Sequence, residues 1–125
     1  MFAYTTIADD GRDGVRSTWR WAYTGAELLP YVAEKVAAFR QDEARAAAAL
    51  AHARKAPDTD EKAADVGRVE ARLRAVGRQR ELTELLSAQL ARDPKLVYNL
   101  ALADLVYFNI DAGVSAPAAP PPDAD

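Results

Sequence analysis

Two stretches of helical periodicity, separated only by Pro57-Asp58-Thr59-Asp60, constrain the fold of this chain more than any other feature. In steps of three and four, the first presents Leu29, Val32, Val36, Phe39, Glu43, Ala46, Leu50 and Ala53. The second presents Val66, Val69, Leu73, Val76, Arg80, Thr83, Ser87 and Leu90. This alternation keeps one narrow stripe of each helix facing a partner. A connection this short makes the two helices antiparallel neighbours. Folding the chain at the turn sets Ala53 opposite Val66, Leu50 opposite Val69, Ala46 opposite Leu73, Val32 opposite Ser87 and Leu29 opposite Leu90. The spacing predicts a coiled-coil-like helical hairpin, with helices over 25–56 and 60–92.

Local signals support those limits. Thr24 followed by Glu27 fits a capping box, and Pro30 is tolerated only near a helix start. Pro57 ends the first helix, and Asp58 with Glu61 reads as an acidic cap on the second. The middle of the first helix, Ala44 to Ala51, is almost all alanine, which favours helix and presents a thin profile. Glu43 falls on the stripe, and Arg80 lies one turn away on the facing helix. A polar pair at such positions fixes the register of a hairpin better than it serves as an acid–base pair. After Val76 the second stripe turns polar at Arg80, Thr83 and Ser87, while Leu82, Leu85 and Leu86 carry a displaced apolar stripe. That displaced surface needs cover of its own.

Asp93-Pro94 reads as a helix start, and 94–110 is expected to form a third helix. It carries apolar residues on nearly every face, so burial on several sides is required. A strand over Leu105 to Ile110 is the competing reading, from its β-branched and aromatic content.

The N-terminal residues 1–24 read as a β-hairpin with strands over 2–8 and 14–23. In the second strand Val15, Ser17, Trp19, Trp21 and Tyr23 alternate with Arg16, Thr18, Arg20, Ala22 and Thr24. An aromatic face is thereby set against a basic-polar one. Asp9 to Gly14 supplies the turn chemistry. The same letters resemble part of a calcium loop, but glycine stands at the third ligand position and Arg20 where a bidentate glutamate belongs. Residues 112–125 form a Pro/Ala-rich tail expected to be disordered. The expected whole is mainly α: a single helical domain over 1–111 with a small N-terminal β-hairpin and that tail.

Composition narrows the function. The 125 residues carry a net charge of −3, which disfavours a general nucleic-acid or membrane-surface binder. Arginines 12, 16 and 20 nevertheless form a possible basic patch on the strand face. The arginines of the second helix are interleaved with Glu70, Glu81 and Glu84, as on a salt-bridged surface. There is no cysteine, so thiolate chemistry is excluded. The single histidine, His52, has no metal-ligand spacing to any partner, and no phosphate loop or nucleophile elbow occurs. No cofactor or metal is expected. No secretory segment and no membrane span stands out, so a cytoplasmic location is the expectation. The excess of arginine over lysine, with abundant alanine, points to a bacterial or phage genome.

The functional expectation is a non-enzymatic structural or interaction protein that self-associates or scaffolds a larger assembly. Its candidate surface comprises Leu96, Leu100, Val106, Tyr107, Phe108 and Ile110, with Leu82 and Leu85 of the displaced stripe. The alternatives are a nucleic-acid-associated regulator using the arginine-rich strand face, and an adaptor subunit of a larger complex.

Overall fold

The computed structural model describes residues 1–9 and 15–111, and side chains for all of these except 7–9 and 15–17. The expected hairpin turn at 10–14 and the tail at 112–125 lie outside the described residues. The elements in chain order are β1 (Phe2–Asp9), β2 (Val15–Thr24), α1 (Gly25–Arg54), α2 (Asp60–Arg92), β3 (Val97–Leu100) and α3 (Leu102–Tyr107). The protein is mainly helical, with two long helices, a short third and a small three-stranded antiparallel sheet. No helix among the described residues is long and apolar enough to cross a membrane.

The described residues group into two compact units. The described residues of Met1–Tyr31 with those of 89–111 form one, and Val32–Ala88 forms the other. The strands and helix ends share one set of contacts, and the alanine-rich helix middles share another.

In the first unit, β1 pairs with β2 and β2 with β3, giving the order β1-β2-β3. The expected period-two pattern places Trp21 and Tyr23 on one face of β2, and both are buried within a single chain. With Leu28, Leu90, Leu105 and Ile110 they form this unit's core, each contributing about 1.5–3 kcal/mol on burial.

α1 starts where the capping box was expected. The Glu27 amide donates to Thr24 Oγ1 at 3.2 Å, and the Thr24 amide donates back to Glu27 Oε1 at 3.0 Å. The remaining free amides at this end find backbone acceptors: Gly25 donates to the Leu96 carbonyl and Ala26 to that of Pro94, both at 2.9 Å. Gly25 is required at that approach, because a Cβ there would lie 2.7 Å from the Asp93 carbonyl oxygen. Pro30 sits inside the helix and does not break it. Pro30 and Ala26, whose carbonyl loses its donor, are both exposed, where one missing helical bond costs least.

The single helix expected over 94–110 is not what forms. Asp93 to Leu96 make a turn closed by the Leu96 amide on the Asp93 carbonyl at 3.2 Å. Val97–Leu100 then runs as β3 beside β2, with Tyr23 opposite Tyr98 and Trp21 opposite Leu100. The open edge of β2 offers a hydrogen-bond ladder that β-branched and aromatic residues fill well, and it overrides the helix start of Asp93-Pro94. The competing strand reading of Leu105 to Ile110 is corrected too, since that segment holds the end of α3 and its cap. The Asp104 carboxylate accepts from the Ala101 amide at 2.9 Å at the start of α3. Its end is a Schellman motif. Asn109 adopts a left-handed φ of 54°, its amide reaches the Val106 carbonyl, and the Ile110 amide reaches that of Leu105 at 2.8 Å. Asparagine tolerates this conformation better than other non-glycine residues. Leu105 and Ile110, the pair such a cap brings together, are both buried.

In the second unit, α1 and α2 run antiparallel. Arg40 meets Glu84, Glu43 meets Arg80 and Arg54 meets Glu70, so each step up one helix is a step down the other. Every stripe position named from the sequence is buried or half-buried, the polar Glu43, Arg80, Thr83 and Ser87 included. The first helix ends at Arg54 rather than residue 56, unwinding through bonds from Lys55 to His52 and Ala56 to Ala53. The cap of α2 is Thr59, whose Oγ1 accepts from the Lys62 amide at 3.2 Å; Asp58, the expected cap, pairs instead with Lys62 Nζ at 2.7 Å.

Candidate interaction surface

The eight residues expected to form an association surface divide by burial. Val106 and Tyr107 on α3, Leu96 in the turn before β3, and Leu82 and Leu85 on α2 are exposed, Val106 at 69% and Leu85 at 67%. Leu100 and Phe108 are half-buried. Ile110 is no surface residue: as the last position of the α3 cap it is 7% exposed and belongs to the core. It was named as part of a helix apolar on nearly every face; the Schellman turn reverses the chain and brings it in.

Within the first unit the structure adds exposed apolar side chains that the sequence pattern did not single out. Phe2 is 61% exposed, and Val97, Leu102 and Met1 are exposed as well. Phe2 stands 5.7 Å from the Tyr4 ring, centroid to centroid. The strand register accounts for Phe2: once Trp19, Trp21 and Tyr23 face inward, Phe2 and Tyr4, paired with Ala22 and Arg20, fall on the opposite face. On α3, Tyr107 packs edge-on to Phe108 at 4.8 Å. In the second unit Leu82 and Leu85 are three residues apart and share one side of α2.

The basic patch is only partly described. Arg12 and the side chain of Arg16 lie outside the described residues. Arg20 is half-buried and donates from Nη1 to the Trp19 carbonyl at 3.0 Å.

Polar chemistry concentrates between the long helices. Arg80 Nε donates to Glu43 Oε2, its Nη1 to Glu84 Oε2 at 3.1 Å, and Arg40 Nη2 to Glu84 Oε1 at 2.8 Å. The four side chains line an open cleft of about 650 Å³ with Ala44, Ala47 and Leu73. A second cleft of about 390 Å³ lies over Ala46 and Ala49. Both open where alanine leaves the groove unfilled. The four charges alternate in sign and satisfy one another, so the cleft offers a ligand no unpaired group. Its work is to hold register.

The Glu84 carboxyl is held below the usual carboxylate range, chiefly by the hydrogen bond from Arg40, with the charge of Arg80 adding to it. Arg80 is pushed up by its bond to Glu43. The Glu27 carboxyl is lowered as well, first by the N-terminal ammonium of Met1, which it meets at 2.6 Å, and then by the Thr24 amide. Both carboxylates bind protons more weakly folded than unfolded. Their contribution is therefore complete above the ordinary glutamate value and is lost as pH falls through the lowered one. The urea midpoint is expected to drop between about pH 5 and pH 3. Glu27→Gln should flatten that acid limb while lowering the neutral plateau; an unchanged limb would remove Glu27 from the account.

Trp19 Nε1, Trp21 Nε1 and Tyr23 Oη are buried with no hydrogen-bond partner among the described residues. Burial, followed by the charges of Tyr31, Glu27 and Asp111, pushes the Tyr23 phenol up. No group of three or more His, Cys, Asp or Glu side chains among the described residues is placed to hold a metal ion. His52 is exposed in the last turn of α1.

No protein-family model, no curated protein and no solved structure matches this chain.

Proposed function

We propose that this chain is a non-enzymatic interaction protein that associates with further copies of itself through apolar surfaces of its helices. The carrying observation is the number of large apolar side chains left in solvent by a chain whose own core is small. Val106, Tyr107, Leu102 and Leu96 belong to one short region of the first unit, and Leu82 with Leu85 to one side of α2. Single exposed leucines are ordinary, but several gathered on one short segment mark an association site. The long helices, read as a coiled-coil-like pair, would supply a rigid element whose register the Glu43–Arg80–Glu84–Arg40 network supports. A scaffold needs rigid elements and sticky faces, and this chain is economical in everything else.

Val106→Glu is the direct test. The side chain is exposed, so the fold tolerates the change, and the molar mass measured by light scattering is expected to fall relative to the unsubstituted chain. An unchanged mass with an unchanged circular dichroism spectrum would remove α3 from the association surface.

A further inference from the structure

Among the described residues, the outer edge of β1 is a long strand edge with no backbone partner. β1 is an edge strand of the β1-β2-β3 sheet and runs for 8 residues, Phe2–Asp9. Alternate residues of such a strand turn both N–H and C=O away from the sheet. Among the described residues, none of the β1 backbone groups bonds to anything beyond its own sheet. Soluble proteins usually blunt a long edge with lysine, proline, a bulge or a covering loop. Phe2 to Ala8 contains no charged residue and no proline, and its pairing with β2 is continuous, one residue to one, from Phe2↔Ala22 to Asp9↔Val15. The opposite edge, β3, is only 4 residues long, which is itself a protection.

We propose that β1 pairs with β1 of a second copy, antiparallel, about a twofold axis perpendicular to the sheet through Thr5. The inference rests on the reading that the chain self-associates, and it names a second place where copies meet. Two features select a second copy as the occupant. An antiparallel edge is complementary to itself, so the twofold satisfies both copies with identical bonds. The uncharged stretch also meets its own image without like-charge repulsion, which an edge carrying lysine or glutamate would suffer. A perpendicular axis keeps each face of the sheet on its own side, so partners across the new ladder must share a face. With Thr5 opposite Thr5 of the copy, Tyr4 falls opposite Thr6, Ala3 opposite Ile7 and Phe2 opposite Ala8, and the whole stretch from Phe2 to Ala8 is paired. The result is a continuous six-stranded sheet. Phe2, 61% exposed in one copy, comes to lie beside the new ladder on the face that also carries Tyr4.

The test is a charge pair at the axis. Thr5 is exposed, so Thr5→Lys and Thr5→Glu leave the single-copy fold intact, checked by circular dichroism. Each variant alone sets a charge against its own image, and its self-association constant is expected to weaken roughly tenfold, equivalent to about 1.4 kcal/mol. Mixing the two variants in equal amounts sets lysine against glutamate and restores the mass of the unsubstituted chain. If both variants keep that mass when Val106→Glu lowers it, the edge proposal falls and the apolar-surface reading stands. If the variants dissociate and their mixture does not reassociate, the twofold at Thr5 is wrong and the edge meets a different surface of the second copy. An unsubstituted chain that is monomeric throughout overturns the self-association reading and this proposal with it.

Discussion

Replacing Leu90 with alanine is expected to lower the unfolding free energy by about 2–5 kcal/mol. Leu90 is 0% exposed, and it lies where α2 approaches its end. Its loss removes the transfer free energy of the buried methyl groups and leaves a cavity that the surrounding core relaxes only partly to fill. Leu85→Ala, five residues earlier on the same helix, is the matching control at a protein concentration low enough to keep single copies. Its side chain is already in solvent, and the change should fall within about 0.5 kcal/mol of zero. Urea unfolding followed by circular dichroism reads both, with unchanged slopes showing that stability alone has moved. Similar midpoints for the two variants would mean that the burial of Leu90 carries none of the weight assigned to it.

Gly25→Ala is expected to cost about 1–3 kcal/mol as an overpacked site, although alanine is the better helix former. The added methyl would lie 2.7 Å from the Asp93 carbonyl oxygen, 3.1 Å from that of Leu90 and 3.2 Å from the Pro94 Cα. All three atoms are backbone, so no side chain can rotate aside. Relief requires the turn between α2 and β3 to move, and that turn accepts the Gly25 and Ala26 amides through Leu96 and Pro94. Each bond lost adds about 1 kcal/mol. Gly67→Ala supplies the opposite sign. It lies mid-helix with nothing within 4 Å of the new methyl, and it should stabilise by about 0.5–1 kcal/mol. Two identical substitutions are thus expected to move the urea midpoint in opposite directions. Destabilisation by both would show that the approach at Gly25 is not what distinguishes them.

The parts of the fold legible in the sequence are those where one physical signal dominates. The stripe from Leu29 to Ala53 and from Val66 to Leu90 is a strict three-four spacing, and each of its positions is removed from solvent. Thr24 and Glu27 form the reciprocal cap their spacing implies. Glu43 and Arg80 are paired across the helices, as polar residues on such a stripe must be. Beyond Asp93 two signals compete. A segment apolar on every side fits a buried helix or a buried strand equally well, and only the open edge of β2 decides for a strand at Val97–Leu100. Asn109 carried a signal that was passed over: an asparagine followed by an apolar residue suits a left-handed helix end, which turns Ile110 into the core.

The exposed apolar side chains were legible in the same uneven way. Leu82 and Leu85 follow from the drift of the stripe, and Val106 from its place in a segment apolar on nearly every face. Phe2 and Val97 required the strand register, which no periodicity within one strand contains. Burial of Ile110 required the α3 cap. Local pattern determines which side of an element is apolar, but whether another element covers that side is a property of topology.

The measurement that tests the account most directly is light scattering behind size-exclusion chromatography, on the unsubstituted chain at two concentrations about a hundredfold apart. A chain that uses α3, the Leu82–Leu85 stripe and the β1 edge as contacts between copies gives a mass of at least twice 13.6 kDa at the higher concentration, with dissociation confined to the lower. A mass of 13.6 kDa at both concentrations would contradict self-association and leave the exposed apolar side chains to a different partner.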